Sequence, residues 1–129
     1  MKVLGLIPSR MGSKRLPAKA LLPISGLPLV VHTYRRANLS KLIDKILICT
    51  DSNKIVKAAK KHKCNTIMTS PYHLNGTERI AEAFIKQTKK YDLVIDIQGD
   101  EPLISPYHID EIIKFHKKNK DVDIILPTL

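Results

Sequence analysis

Apolar residues in this chain come in short dense runs, separated by longer stretches of helical period. Residues 2–7, 45–49, 66–68, 93–97 and 122–126 each read as a strand buried on both faces. Four helices are predicted between them. The first opens at Pro28 and carries Val31, Tyr34 and Ala37 on one side. The second opens at Ser52, with Ile55, Ala58 and Ala59 together. The third covers 77–88, capped by Thr77, with Ile80, Ala81, Phe84 and Ile85 as its buried stripe. The fourth is opened by Ser105-Pro106 and bears Ile109, Ile112, Ile113 and His116. The order is β-α-β-α-β-α-β-α-β. Such a pattern predicts an α/β fold, a three-layer sandwich around a mostly parallel sheet. No repeat or linker divides residues 1–129. The chain stops directly after its last predicted strand, so it reads as truncated in mid-fold.

Composition sharpens this picture. With 129 residues, 43% hydrophobic and 26% charged, the chain is large enough to bury one core. No run of 18 apolar residues exists, so no membrane association is expected. The first residues lack the long apolar region and cleavage site of a signal peptide. The net charge is +10, from 22 basic and 12 acidic residues. Much of the excess lies at helical lysines (Lys54, Lys57, Lys60, Lys61, Lys63, Lys114, Lys117, Lys118 and Lys120), which read as solvated faces. Two Phe, four Tyr and no Trp leave little for bases to stack on, so no nucleic acid is expected. Cys49 and Cys64 form no CxxC and have no His at zinc spacing. Cys49 reads as a small buried hydrophobe, and the chain as a reduced cytoplasmic protein.

Three loops leave the predicted strand ends, at 8–19, 69–79 and 98–105, and a parallel sheet opens all three on one edge. The first gathers Arg10, Lys14, Arg15 and Lys19 with Ser9, Gly12 and Ser13. Cations on a flexible backbone suit a polyphosphate. The loop is neither a Walker A motif nor a GxGxxG fingerprint. In the second, Asn75-Gly76 turns the chain and Arg79 enters the first turn of a helix. The helix dipole disfavours a cation there, which an anionic ligand would explain; a surface pair with Glu78 or Glu82 is the alternative. His73 reads as loop scaffold or as a ligand contact. In the third, IQGDEP, Asp100 follows a buried strand and suits Mg2+, which takes one or two carboxylates plus phosphates. Gln98 offers both donor and acceptor, while Asp96 reads as structural. No Ser-His-Asp arrangement appears, and neither cysteine has a basic partner nearby. Metal-assisted transfer to a substrate oxygen fits best, with catalysis by positioning and charge neutralisation.

The segments IPSRMGSKRLPAKALLPISGLPLVVHTYRRA, ICTD, MTSPYHLNGTERIAEA and DIQGDEPLI closely resemble the 3-deoxy-manno-octulosonate (Kdo) cytidylyltransferases, or CMP-Kdo synthetases. The resemblance covers nearly the whole chain, in order and with similar spacing. It implies a nucleotide-diphospho-sugar transferase-like fold, with residues 1–129 as its nucleotide-binding part. The C-terminal half, with a second metal-binding Asp, more sugar contacts and most of a homodimer interface, would be absent. On matching positions, Pro8, Arg10, Arg15, Lys19 and Gln98 would bind CTP. Arg79 and Gln98 would bind the sugar acid, and Asp100 would hold Mg2+. Arg10, Lys19 and Asp100 would be the catalytic set. The resemblance further implies that the anomeric hydroxyl of Kdo attacks the α-phosphorus of CTP, giving CMP-Kdo and pyrophosphate for lipopolysaccharide synthesis. Ser9, Ala18 and Asn75 depart from the family's usual Ala, Gly and Ser. A CTP-binding remnant without catalysis, and a synthetase for a related sugar acid, stay open at this level.

Overall fold

The computed structural model describes residues 1–12 and 18–119. Lys14, Arg15 and the predicted strand at 122–126 lie outside them. In chain order come β1 (Val3–Pro8), a short 3-10 helix (Lys19–Leu21), β2 (Pro23–Ile24), β3 (Leu27–Pro28), α1 (Leu29–Ala37) and β4 (Lys45–Thr50). Then follow α2 (Asn53–Lys61), β5 (Thr66–Met68), α3 (Gly76–Ile85), β6 (Leu93–Asp96) and α4 (Pro106–Lys118).

Four strands form one parallel sheet in the order β5-β4-β1-β6. Strand alternation divides the core into two. Val3, Ile7, Ile46 and Ile48 face α1, α2 and α4, meeting Val30, Val31, Tyr34, Ile55, Ala59, Ile109 and Ile113. Leu4, Leu6, Leu47 and Cys49 point the other way, against Ala83 of α3. The result is the expected α/β sandwich. Strands are added on one side of β1 as far as β5; the chain then crosses back over the opposite face through α3 to reach β6. The carboxyl ends of β1 and β6 therefore lie side by side where the order reverses, the usual place for a ligand in an open α/β sheet.

Local signals explain most helix starts. The hydroxyls of Ser52 and Ser105 accept from Ile55 N and His108 N, and Pro106 takes the first helical position. Three expectations fail in whole or in part. Pro28 is not the first residue of α1: its backbone is extended at φ −57, ψ 145, it ends β3, and the helix begins at Leu29. The cap of α3 is Asn75, whose side chain accepts from Glu78 N, so the helix begins at Gly76 and not at Thr77. The predicted stripe of α3 holds only at Ile80, which packs against the Leu4, Leu6 and Ala83 cluster. Phe84 is 41% exposed, Ile85 is 78% exposed and Ala81 is exposed too, while Arg79 and Ala83 face the sheet. Ala83 is small enough for α3 to lie close on Leu4 and Leu6, and Arg79 on that side has polar partners waiting at the ends of β4 and β5. The β2–β3 hairpin is an addition to the predicted elements. Its turn uses Ser25 and Gly26 at φ 50 and 83, the left-handed pair of a tight two-residue hairpin.

Candidate active site

Three loops meet at the end of β1, and two glycines let them. A Cβ on Gly99 would stand 3.3 Å from the Pro8 carbonyl oxygen, and one on Gly76 3.3 Å from Pro8 Cγ. The first residue of α3 and the backbone after β6 thus both press on Pro8. A Cβ on Gly12, in contrast, would meet nothing within 4 Å. The cavity so formed is lined by Pro8, Ser9, Arg10, His73, Asn75, Gly76, Arg79 and Gln98. A second cavity, towards the N-terminus of α2, shares Arg10, His73 and Arg79 and adds Asp51 and Lys54.

The structure therefore brings Pro8, Arg10, Arg79 and Gln98 to one cavity. Arg10 and Gln98 are exposed. Arg79 is only 4% exposed. Its guanidinium donates to Thr69 Oγ1 and to the Ser70 carbonyl at 3.3 Å, with Asp51 at 3.8 Å. Neither Glu78 nor Glu82 is its partner. Glu82, one turn further along α3, accepts from Ser70 N at 2.8 Å, from His73 Nε2 at 2.7 Å and from the Lys86 ammonium. The Lys86 ammonium, the Ser70 amide and the His73 ring together pull the Glu82 carboxyl down to about 2. The 69–75 loop is thereby tied to α3 from below. His73 is part of that tie.

Lys19 and Asp100 stand apart from the cavity lining. They form an ion pair of 2.9 Å with each other, roughly half exposed on both sides. An exposed pair stabilises by no more than about 1 kcal/mol, so stronger partners can separate it. The loop carrying Gln98 and Asp100 is fixed on α1. Thr33, fully buried, donates its hydroxyl to the Gly99 carbonyl at 2.9 Å, and Arg36 Nε donates to Ile104 O at 3.0 Å. Gln98 Nε2 donates to Asp96 at 3.2 Å. Among the described residues, no three His, Cys, Asp or Glu side chains could hold a metal by themselves. Asp100 offers one carboxylate, a donor set that fits Mg2+ when phosphate oxygens and water complete the shell.

Sequence reasoning missed Thr33 and Asp51, and took Glu82 only as a candidate surface partner of Arg79. Thr33 gave one signal, a hydroxyl inside the apolar stripe LVVHTY. Burial pushes the Cys49 thiol up to about 12, with Arg79 drawing it partly back, so its reading as an inert core residue stands. The described helical lysines named above are exposed. No helix among the described residues is long and apolar enough to cross a membrane.

Known proteins match this architecture closely. An 8-amino-3,8-dideoxy-manno-octulosonate cytidylyltransferase of Shewanella frigidimarina is 43% identical over 120 residues, 92% of this chain and 49% of its own length. A mitochondrial 3-deoxy-manno-octulosonate cytidylyltransferase of Arabidopsis thaliana is 43% identical over 113 residues, 88% of this chain and 39% of its own. The chain thus spans about half the length of the curated relatives it matches, or less. A solved CMP:2-keto-3-deoxy-manno-octonic acid synthetase complexed with CTP superimposes with a TM-score of 0.90 at 33% identity, covering 95% of this chain and 50% of that one. The cytidylyltransferase family model matches residues 4–126. On these matches and this fold, the chain belongs to the cytidylyltransferase family.

Proposed function

We propose that this chain supplies the CTP-binding part of an enzyme that transfers CMP to a Kdo-type sugar acid and releases pyrophosphate. One observation carries the reading: relatives 43% identical over about nine-tenths of the chain are cytidylyltransferases for Kdo or its 8-amino analogue. The cavity at the β1 end supports it with suitable chemistry.

Arg10 and Lys19, together with Arg15, would hold phosphate oxygens of CTP. Each charge-assisted hydrogen bond contributes roughly 1.5–3 kcal/mol. Pro8 and Gln98 would border the nucleotide, and the Gln98 amide offers a donor and an acceptor to cytidine or sugar. Arg79 would face the sugar carboxylate from the cavity wall, while its Nη1 stays on Thr69 and Ser70. Asp100 would give one oxygen to Mg2+, and Lys19, released from Asp100, would turn to the phosphates. When bound, Mg2+ would neutralise phosphate charge and acidify the attacking hydroxyl. In the transfer, the anomeric oxygen bonds to the α-phosphorus. The bond from that phosphorus to the bridging oxygen breaks, pyrophosphate leaves with the electron pair, and the hydroxyl proton passes to solvent. The reading extends to a cytoplasmic, homodimeric enzyme whose product enters lipopolysaccharide synthesis.

Calorimetry with CTP and Mg2+, followed by a pyrophosphate-release assay with Kdo and with its 8-amino analogue, tests this. Saturable CTP binding, weakened at least tenfold by Arg10→Ala and by Asp100→Ala, is the expected result. No CTP binding refutes the proposal. Binding without pyrophosphate from either sugar reduces the function to nucleotide binding.

A further inference from the structure

The 69–75 loop walls the cavity, yet it has little packing of its own. Tyr72 is 88% exposed and Leu74 is 84% exposed. Its position depends on polar ties to α3: Glu82 takes two, the Arg79 guanidinium donates to Thr69 and to the Ser70 carbonyl, and Glu78 accepts from Leu74 N at 2.7 Å. One carboxylate oxygen takes both Ser70 N at 2.8 Å and His73 Nε2 at 2.7 Å; the other takes the Lys86 ammonium. A carboxylate held this far below its usual range is an acceptor only at neutral pH, so the proton in the His73 contact sits on Nε2. That fixes the orientation of a ring lining both cavities that flank Arg79. Glu82 itself lines neither.

Resting on the CTP reading above, we propose that Glu82 is a positioning residue for nucleotide binding, acting through His73 and the Ser70 amide to hold the 69–75 loop as a wall of the cavity. Removing its charge weakens the two loop contacts together, and the loop then samples positions that do not bind.

Calorimetric titration of the whole chain with CTP and Mg2+ tests this on Glu82→Gln, His73→Asn, the double variant and Lys86→Met. The charged acceptor is worth about one neutral hydrogen bond more than the amide, so Glu82→Gln raises the Kd roughly tenfold. His73→Asn does the same from the loop side. Because Glu82 acts through His73, the double variant is also about tenfold weaker, not a hundredfold. Lys86→Met removes the ammonium from the other carboxylate oxygen and from the Met68 carbonyl at 3.1 Å, leaves both loop contacts of Glu82 in place, and stays within twofold of wild type. Unchanged Kd in Glu82→Gln, additive losses in the double variant, or an equal loss in Lys86→Met overturns the proposal. Should Glu82→Gln fail to fold by circular dichroism, His73→Asn decides. Tenfold weaker binding at an unchanged Tm supports the proposal, and unchanged binding overturns it. Wild-type chain that binds no CTP refutes the nucleotide reading itself, whereas wild-type binding with indifferent variants refutes only the role of Glu82.

Discussion

Ala18 is the residue whose replacement should stabilise this chain most simply. It sits at φ 59, ψ 28, in the left-handed region, immediately before the 3-10 helix that carries Lys19. Its N–H donates to Met11 O at 2.9 Å and its carbonyl accepts from Leu21 N at 3.0 Å, so both ends of the peptide are committed to this geometry. A residue with a Cβ pays about 1–2 kcal/mol to stand there. Glycine removes that strain but adds unfolded-chain freedom worth about 0.4–1 kcal/mol. The net expected for Ala18→Gly is a stabilisation of roughly 0.5–1 kcal/mol. Unfolding entropy near 2.1 cal/mol/K per residue gives about 0.27 kcal/mol/K for a chain of this length, so Tm rises by about 2–4 °C. Thermal denaturation by circular dichroism reads this directly. Ala18→Val, with a branched Cβ in the same well, moves Tm down. A fall in Tm for the glycine variant, or no loss for the valine variant, would show that residue 18 does not hold the left-handed turn.

Three further outcomes are expected. Asp110 of α4 pins the 40–42 loop by accepting from the Ser40 hydroxyl and from Lys41 N and Leu42 N, both at 3.1 Å; Asp110→Ala should cost about 2 kcal/mol in urea denaturation, and an unchanged midpoint would contradict the assigned bonds. The folded carboxyl of Glu82 lies at about 2, below its ordinary 4.5, so its stabilisation is complete above the ordinary value and disappears as pH falls towards 2. Glu82→Gln should therefore flatten the acid limb of the stability curve in that window, and an identical limb would disprove the shift. Cys49 and Cys64 are buried with thiols raised by desolvation; both should resist a thiol reagent at pH 8 until the chain unfolds, and rapid labelling of Cys49 in the native state would place it wrongly in the core.

What the sequence determined by itself was periodic or terminal. Runs such as KILIC admit little except a strand covered on both faces, because Ile46 to Cys49 must all leave water. Ser52 and Ser105 start helices through bonds made within four residues, so neighbours in sequence suffice. The Kdo cytidylyltransferase resemblance was legible because its segments cluster at strand ends. Tertiary structure alone decided what depends on partners far along the chain. The period of α3 announced an amphipathic helix but could not say which side meets the sheet. Phe84 and Ile85 supplied the stronger apolar signal and lost to Arg79 and Ala83, since the sheet surface there accepts a small residue beside a polar clamp. Thr33 reaches Gly99 across 66 residues, and Lys19 reaches Asp100 across 81. A hydrogen bond acts over about 3 Å, and no local pattern carries the information that two such distant groups will come within that range.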